Sequence, residues 1–178
     1  MNIGEINLSE KKQIFILIST NNGEEYLDEQ LKSIYDQTYT NFAVYVRDDG
    51  SQDLTKDILN RYEKKYDNFQ WFSGRNIGTS KSFFSLMKMI PLEDAIYVSD
   101  QDDVWLPYKL QHIYHVFETD HNSKPLLYCG DTILTDQELH ILKKENFGEN
   151  ICPSFGNALV ENICIGCTSA MNRCLLEN

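Results

Sequence analysis

No apolar stretch in this 178-residue sequence approaches the roughly 20 residues a helix needs to cross a bilayer; the longest uninterrupted run is Ile14 to Ile18. The N-terminus lacks the basic-then-apolar layout of a secretion signal, so the chain is expected to be cytoplasmic, with no transmembrane segment of its own. Basic residues are scarce. Lys and Arg number 16 against 27 Asp and Glu, a formal net charge of -11. That is the wrong sign for holding a polyanionic backbone by counterion release, which argues against nucleic acid as a partner. The five cysteines form an odd set and, without an export signal, read as reduced thiols. Cys164-Ile165-Gly166-Cys167 has C-x-x-C spacing, but it neither opens a helix after an early strand nor pairs with a second close couple. His112 and His115 share a helix face and read as solvated or core histidines.

Phosphate cradles are missing too. No G-x-G-x-x-G follows the first strand and no G-x-x-x-x-G-K-[ST] occurs, which removes dinucleotide oxidoreductases and P-loop enzymes. A haloacid-type phosphatase or a phosphoacceptor receiver domain needs acidic residues directly after the first strand, where Ser19 and Thr20 stand instead.

The apolar content, 42%, is ample for a core. Gln13 to Ser19 (QIFILIS) is a near-continuous apolar run, the pattern of a strand covered on both faces. A helix follows over Glu25 to Gln37, with Asn22 as its expected N-cap and acidic residues in its first turn. Phe42 to Arg47 predicts a second strand, "DDGSQD" the turn after it, and Asp53 to Tyr66 a second helix. The unit repeats as a strand over Phe69 to Phe72, a glycine-bearing loop "SGRNIGTSKS", a helix over Phe83 to Met89, and a fourth strand over Ala95 to Val98. A further helix starts near Pro107, carrying Leu110, Ile113, Val116 and Phe117, and Leu126 to Cys129 predicts a fifth strand. Beyond about Asp136 the pattern weakens. Strands alternating with helices imply an α/β fold, a mainly parallel sheet with helices on both faces, whose ligands sit outside the carboxyl ends of the strands.

The loops expected at that edge carry the chemistry. "SDQDDVW" places Asp100, Asp102 and Asp103 within four residues, an arrangement of like charges that makes sense around a bound cation. Asp100 and Asp102, one residue apart at a strand end, can turn toward one hard cation such as Mg or Mn, with phosphate oxygens completing its shell. A metal so held would cancel charge on a diphosphate leaving group. Asp49, in "DDGS", is placed to accept a hydrogen bond from an imide N–H of a uracil or thymine base, and Gly50 lets the backbone come close.

The segments "ILISTNNGEEYLDEQLKSIYDQTYTNFAVYVRDDGSQD", "RNIGTSKSFF" and "YVSDQDDVWLPYKL", in that order, resemble the family 2 glycosyltransferases of the GT-A (Rossmann-like) fold. More narrowly they are similar to bacterial rhamnosyltransferases that build cell-wall or capsular polysaccharide. The similarity runs from about Gln13 to about Leu175. By that resemblance Ser19, Thr20 and Asn22 would line the nucleotide pocket, Asp49 with Gly50 would read the base, and Asn76, Gly78 and Lys81 would border the donor. Asp100 and Asp102 would be the D-x-D pair, with Asp102 the more direct metal ligand, and Asp103 and Trp105 would lie toward the sugar or acceptor. Trp105 also reads as a core anchor beneath the loop.

Two features depart from the family's pattern. Asn21 stands where an aromatic is usual, which would weaken base stacking. The catalytic base of inverting members lies downstream of the segment resembling "NICIGCTSAMNR", which places it beyond Asn178; Asp131, Asp136 and Glu161 are the substitutes within the chain. Residues 1–12 therefore read as a leader and 13–178 as a single domain, incomplete on its acceptor side. The expected activity is metal-dependent inverting transfer of a sugar, rhamnose first, from a dTDP- or UDP-sugar. Its acceptor would be a bacterial surface polysaccharide or a lipid-linked glycan at the inner face of the membrane. The alternative is a nucleotide-sugar-binding module without turnover.

Overall fold

The computed structural model describes residues 12–89, 96–100, 103–118, 124–144 and 166–177, with 96–100 described by their backbone alone. A six-stranded sheet runs β3-β2-β1-β4-β8-β5. β1 (Ile14–Thr20), β2 (Phe42–Asp48), β3 (Phe69–Ser73) and β4 (Ile96–Asp100) are parallel neighbours. β8 (Ser169–Asn172) runs antiparallel between β4 and β5 (Leu127–Cys129). A separate hairpin pairs β6 (Leu134–Thr135) with β7 (Ile141–Lys143). The helices are α1 (Leu27–Tyr35), α2 (Thr55–Lys65), α3 (Thr79–Met87), α4 (Lys109–Phe117) and a short α5 (Arg173–Glu177).

Alternation along β1 explains the two layers. Successive strand side chains face opposite ways. Ile14, Ile16 and Ile18 pack with Leu27, Leu31 and Ile34 of α1, Leu59 of α2 and Ile113 and Phe117 of α4. Phe15 and Leu17 face the other way, onto Leu86 of α3, with Met171 and Leu176 alongside. Both faces of β1 are thus covered, which is why its sequence is apolar at nearly every position. Each fully buried Ile or Leu contributes about 1.5–3 kcal/mol relative to exposure.

Chain order sets where a ligand can sit. From β1 the chain adds β2 and β3 on one side, then returns to β4 on the other, and α3 makes that return on the opposite face from α1 and α2. The strand order therefore reverses between β1 and β4, and open α/β sheets bind ligands in the crevice at such a switch point.

The structure departs from the sequence reading in several places. α1 starts at Leu27 with Tyr26 as N-cap and no side-chain cap, so Asn22 does not cap it. Asn22 instead adopts a left-handed conformation, φ 52°, and its Oδ1 accepts Gln52 N–H at 2.9 Å; a partner 30 residues away replaces the local one. α3 begins at Thr79, inside the expected loop, and β4 reaches Asp100 rather than stopping at Val98. β8 was not foreseen, because "SAMN" is too short and too mixed to show a period. Cys129 is disulfide-bonded, its partner lying outside the described residues, which corrects the reading of every cysteine as reduced; Cys167 and Cys174 form no disulfide. Among the described residues no helix is long and apolar enough to cross a membrane.

Candidate functional site

The carboxyl ends of β1, β2 and β3 lie in one register, Thr20 beside Asp48 and Asp48 beside Ser73. Asp49 N–H donates to Thr20 O at 2.7 Å and Gly74 N–H to Asp48 O at 3.0 Å, so pairing continues one step beyond the strands. Two loops are then laced together. Asn22 N–H donates to Ser51 Oγ and Gly23 N–H to Thr55 Oγ1, both at 2.8 Å, and Glu24 N–H donates to Asp53 Oδ2 at 3.1 Å. In return Gln52 N–H donates to Asn22 Oδ1 and Leu54 N–H to Glu24 Oε2. The Ser, Thr and Asp residues of "DDGSQDLT" thus supply side-chain acceptors to a neighbouring loop that has no ladder partner.

Asp48 and Asp49, adjacent in sequence, do different things. Asp48 is buried at the strand end, where it accepts Ser51 N–H at 3.0 Å and the Ser73 hydroxyl at 2.7 Å, with Lys56 Nζ at 3.7 Å. Burial pushes its carboxyl up, but these hydrogen bonds and Lys56 outweigh it and hold it below the usual carboxylate value. Asp49, 3% exposed, is paired with the Arg47 guanidinium and accepts Ile77 N–H at 3.0 Å and Gly78 N–H at 2.9 Å. Its carboxyl is likewise held low: burial opposes, and Arg47 with the Ile77 and Gly78 N–H groups prevails. The base reading expected of Asp49 therefore meets a carboxylate whose two oxygens are already engaged, and what Asp49 holds in this structure is the 74–78 loop.

The other sequence candidates divide. Ser19 donates its hydroxyl to Ser82 Oγ at 2.7 Å, joining β1 to α3. Thr20 is buried, with Asn21 and Asn22 exposed beyond it, and Asn21 Nδ2 donates to Asp49 O at 3.0 Å. Gly50 has φ +92°, and a Cβ there would stand 3.2 Å from Gly74 O and 3.3 Å from Asn76 N, so the close approach expected of it is to the protein's own backbone. Asn76 and Lys81 are exposed, Asn76 Oδ1 accepts Gly78 N–H at 3.2 Å, and Gly78, φ +83°, caps α3. Asp100 ends β4 with its backbone beside Ile18 of β1, at the switch point. Asp102 lies outside the described residues, as does Glu161.

Asp103 is exposed, whereas Trp105 is only 4% exposed and belongs to the core with α1 and α4. Its backbone N–H donates to Ser33 Oγ at 2.9 Å, and Lys109 Nζ stands 3.6 Å from its ring centre. Trp105 is therefore a core anchor rather than an exposed side chain; a large ring hides more apolar area here than it could at the rim. Asp131 and Asp136 are exposed on the segment that follows β5, with Asp136 Oδ1 accepting the N–H groups of Glu138 and His140. The His140 hydrogen bonds hold Asp136 below the usual carboxylate value, the wrong direction for a general base near neutral pH. Asp136, Glu138 and His140 are the group of three metal-capable side chains among the described residues, and all three are exposed.

The sequence reading missed Arg47, Ser51, Ser73 and Ser82. Arg47 was detectable, since a charge at the end of a strand buried on both faces must find a partner. The serines showed no such signal because their role depends on which loop lies opposite.

Comparison with known proteins agrees with this architecture. The model of glycosyl transferase family 2 matches residues 15–177. A dTDP-rhamnosyl transferase, RfbG, of Shigella flexneri is 34% identical over 100 residues, covering 53% of this chain and 35% of that protein. An uncharacterised glycosyltransferase of Rickettsia typhi is 30% identical over 129 residues, covering 72% of this chain and 39% of its own length. The chain thus spans little more than a third of the length of these two curated relatives. Among solved structures, S. aureus TarS with UDP-GlcNAc aligns at TM-score 0.66 and 22% identity, covering 93% of this chain and 46% of that one. A mannosyltransferase of Pyrobaculum calidifontis with GDP-Man and Mn2+ aligns at TM-score 0.56 and 18% identity, covering 67% and 35%. With a mainly parallel α/β sheet, a switch point between β1 and β4, and a family match across nearly its whole length, this chain belongs to glycosyl transferase family 2 and has the GT-A fold.

Proposed function

We propose that the chain carries the donor side of a metal-dependent, inverting glycosyltransferase that takes a sugar from a nucleoside diphosphate. A dTDP-sugar with rhamnose is the first choice and a UDP-sugar the second. The acceptor is a bacterial surface polysaccharide or a lipid-linked glycan. The observation that carries this reading is the place of Asp100 at the β1–β4 switch point, beside the strand that delivers Ser19, Thr20 and the first of the two laced loops, those after β1 and β2. The dTDP-rhamnosyl transferase among the relatives favours rhamnose, and the UDP-GlcNAc and GDP-Man complexes of two neighbours are consistent with a nucleotide-sugar ligand.

Hard oxygen donors at a strand end suit Mg or Mn, and Asp100 and Asp102 would hold the ion. Bound there, the ion would neutralise charge building on the diphosphate as it leaves. The chain's own part is orientation: the 20–24 and 51–55 loops hold each other, Asp49 holds the 74–78 loop, and Trp105 is fixed in the core.

Calorimetry with UDP, dTDP and GDP, each with and without manganese, tests the reading. Asp102→Ala is expected to weaken manganese-dependent nucleotide binding roughly tenfold or more; unchanged affinity would remove the metal assignment. Hydrolysis of a dTDP- or UDP-sugar by the chain separates transfer chemistry from donor binding without turnover.

A further inference from the structure

Arg47 occupies an unexpected position. Along β2, Ala43, Tyr45 and Arg47 share the face toward α3, and Arg47 stands in register with Ser19 of β1 and Phe72 of β3. Its side chain is 7% exposed and forms an ion pair with Asp49. It also donates to Ser82 Oγ at 3.3 Å and to Arg75 O at 3.1 Å. Gly74 makes room for it, since a Cβ at that position would stand 2.6 Å from the guanidinium.

Stability alone does not account for this. Taking both charges out of water is expensive, and well-packed apolar residues in place of a buried ion pair are often neutral or stabilising. An aliphatic residue at position 47 would continue the apolar face of Phe15, Leu17 and Leu86. What the pair adds is geometry. Asp49 is pinned on one side by Arg47 and grips the N–H groups of Ile77 and Gly78 on the other. Arg47 also reaches Arg75 O and, through Ser82 and Ser19, the end of β1. One guanidinium thereby joins β1, β2, α3 and the 74–78 loop.

We propose that Arg47 is a positioning residue of the donor site: it clamps Asp49 onto Ile77 and Gly78 and so fixes the wall formed by Asn76 to Gly78 before a nucleotide arrives. The ligand part of this rests on the nucleotide-sugar reading above; the clamp itself does not. A wall ordered in advance spares the ligand the entropy of ordering it, so the clamp acts on affinity.

Two measurements test it. In the unliganded chain, Arg47→Met is expected to speed amide hydrogen exchange at Ile77 and Gly78 while leaving exchange in the centre of β1 and β2 unchanged. In calorimetry with manganese and UDP or dTDP, Arg47→Met is expected to weaken binding roughly tenfold without a matching fall in melting temperature. Arg47→Lys, which keeps the charge but loses the fork, recovers part of that affinity and serves if Arg47→Met does not fold. Asp49→Asn combined with Arg47→Met weakens binding little more than either change alone, because both break one clamp. Unchanged exchange at Ile77 and Gly78 overturns the clamp. Faster exchange with unchanged nucleotide affinity overturns its role in the site. A wild-type chain that binds none of UDP, dTDP or GDP, with exchange still faster in Arg47→Met, overturns the nucleotide reading and leaves the clamp standing.

Discussion

In residues 12–89, β1 and β2 are seven residues each, lie between helices on both faces, and send out loops that hydrogen-bond to one another. In residues 124–144 the strands are three, two and three residues long, and Leu127, Leu134, Ile141 and Leu142 are exposed. The hydrogen bonds in this second region that involve Asp136 stay within five residues of the chain. Position therefore means different things in the two regions. In the first, Asn22 and Ser51 meet partners about 30 residues away; in the second, Asp136 is placed by its own turn. A donor site that must hold several groups at once needs the first kind of anchoring, because only a site supported from behind keeps its geometry without the ligand.

The sharpest way to probe this contrast is to remove equivalent apolar groups from each side. Ile16→Ala, at a fully buried position in β1, is expected to cost about 2–5 kcal/mol in urea unfolding. Leu142→Ala, at a side chain 69% exposed, should change stability by less than about 0.5 kcal/mol. Similar losses at both sites would mean that the hairpin is packed as firmly as the sheet.

The polar anchors come next. Asp48→Ala leaves Ser51 N–H and the Ser73 hydroxyl without their acceptor and is expected to cost about 1–3 kcal/mol. Its pH signature has a definite sign. Asp48 and Asp49 are held below the ordinary value of 3.8 in the folded chain, so their stabilisation is complete above that value. It is lost as pH falls from there through the lower folded values. Acid unfolding of the wild-type chain should therefore steepen below about pH 4, and Asp48→Ala should flatten part of that slope. An unaltered slope would place the acid sensitivity elsewhere.

Two glycines give a finer test. Gly50→Ala meets both an unfavourable φ and backbone atoms at 3.2 and 3.3 Å, whereas Gly78→Ala at φ +83° meets open space. Gly78→Ala should cost about 1–2 kcal/mol from backbone strain alone, and Gly50→Ala measurably more. Equal melting temperatures for the two variants would mean that the 74–78 loop moves aside freely, against the firm anchoring argued here. The smallest effect belongs to Asp136→Asn, at an exposed group on its turn, where nucleotide binding should be unchanged.

Much of the fold was legible because covered strands and amphipathic helices write their burial into local patterns. "QIFILIS" and "FAVYVR" marked β1 and β2 correctly, and Leu110, Ile113 and Phe117 marked the buried stripe of α4. β8 escaped because four mixed residues carry no period, and its antiparallel place between β4 and β5 depends on partners distant in sequence. The loops of the site were legible as polar and glycine-bearing, but their wiring was not. Asn22 looked like a helix cap and is a bridge to Gln52; Asp49 looked open to a ligand and is occupied by Arg47 and the 77–78 backbone.

What the sequence determined alone is the layering: which stretches are strands or helices, which faces are buried, and which family the ordered motifs resemble. Those follow from periods of two and 3.6 residues and from local chemistry. What only the tertiary structure decided is which polar groups are spoken for. Whether a carboxylate is open to a ligand depends on donors brought to it from other parts of the chain, here the Ile77 and Gly78 N–H groups of the loop after β3. No local pattern encodes that neighbourhood, because it exists only once the chain has folded.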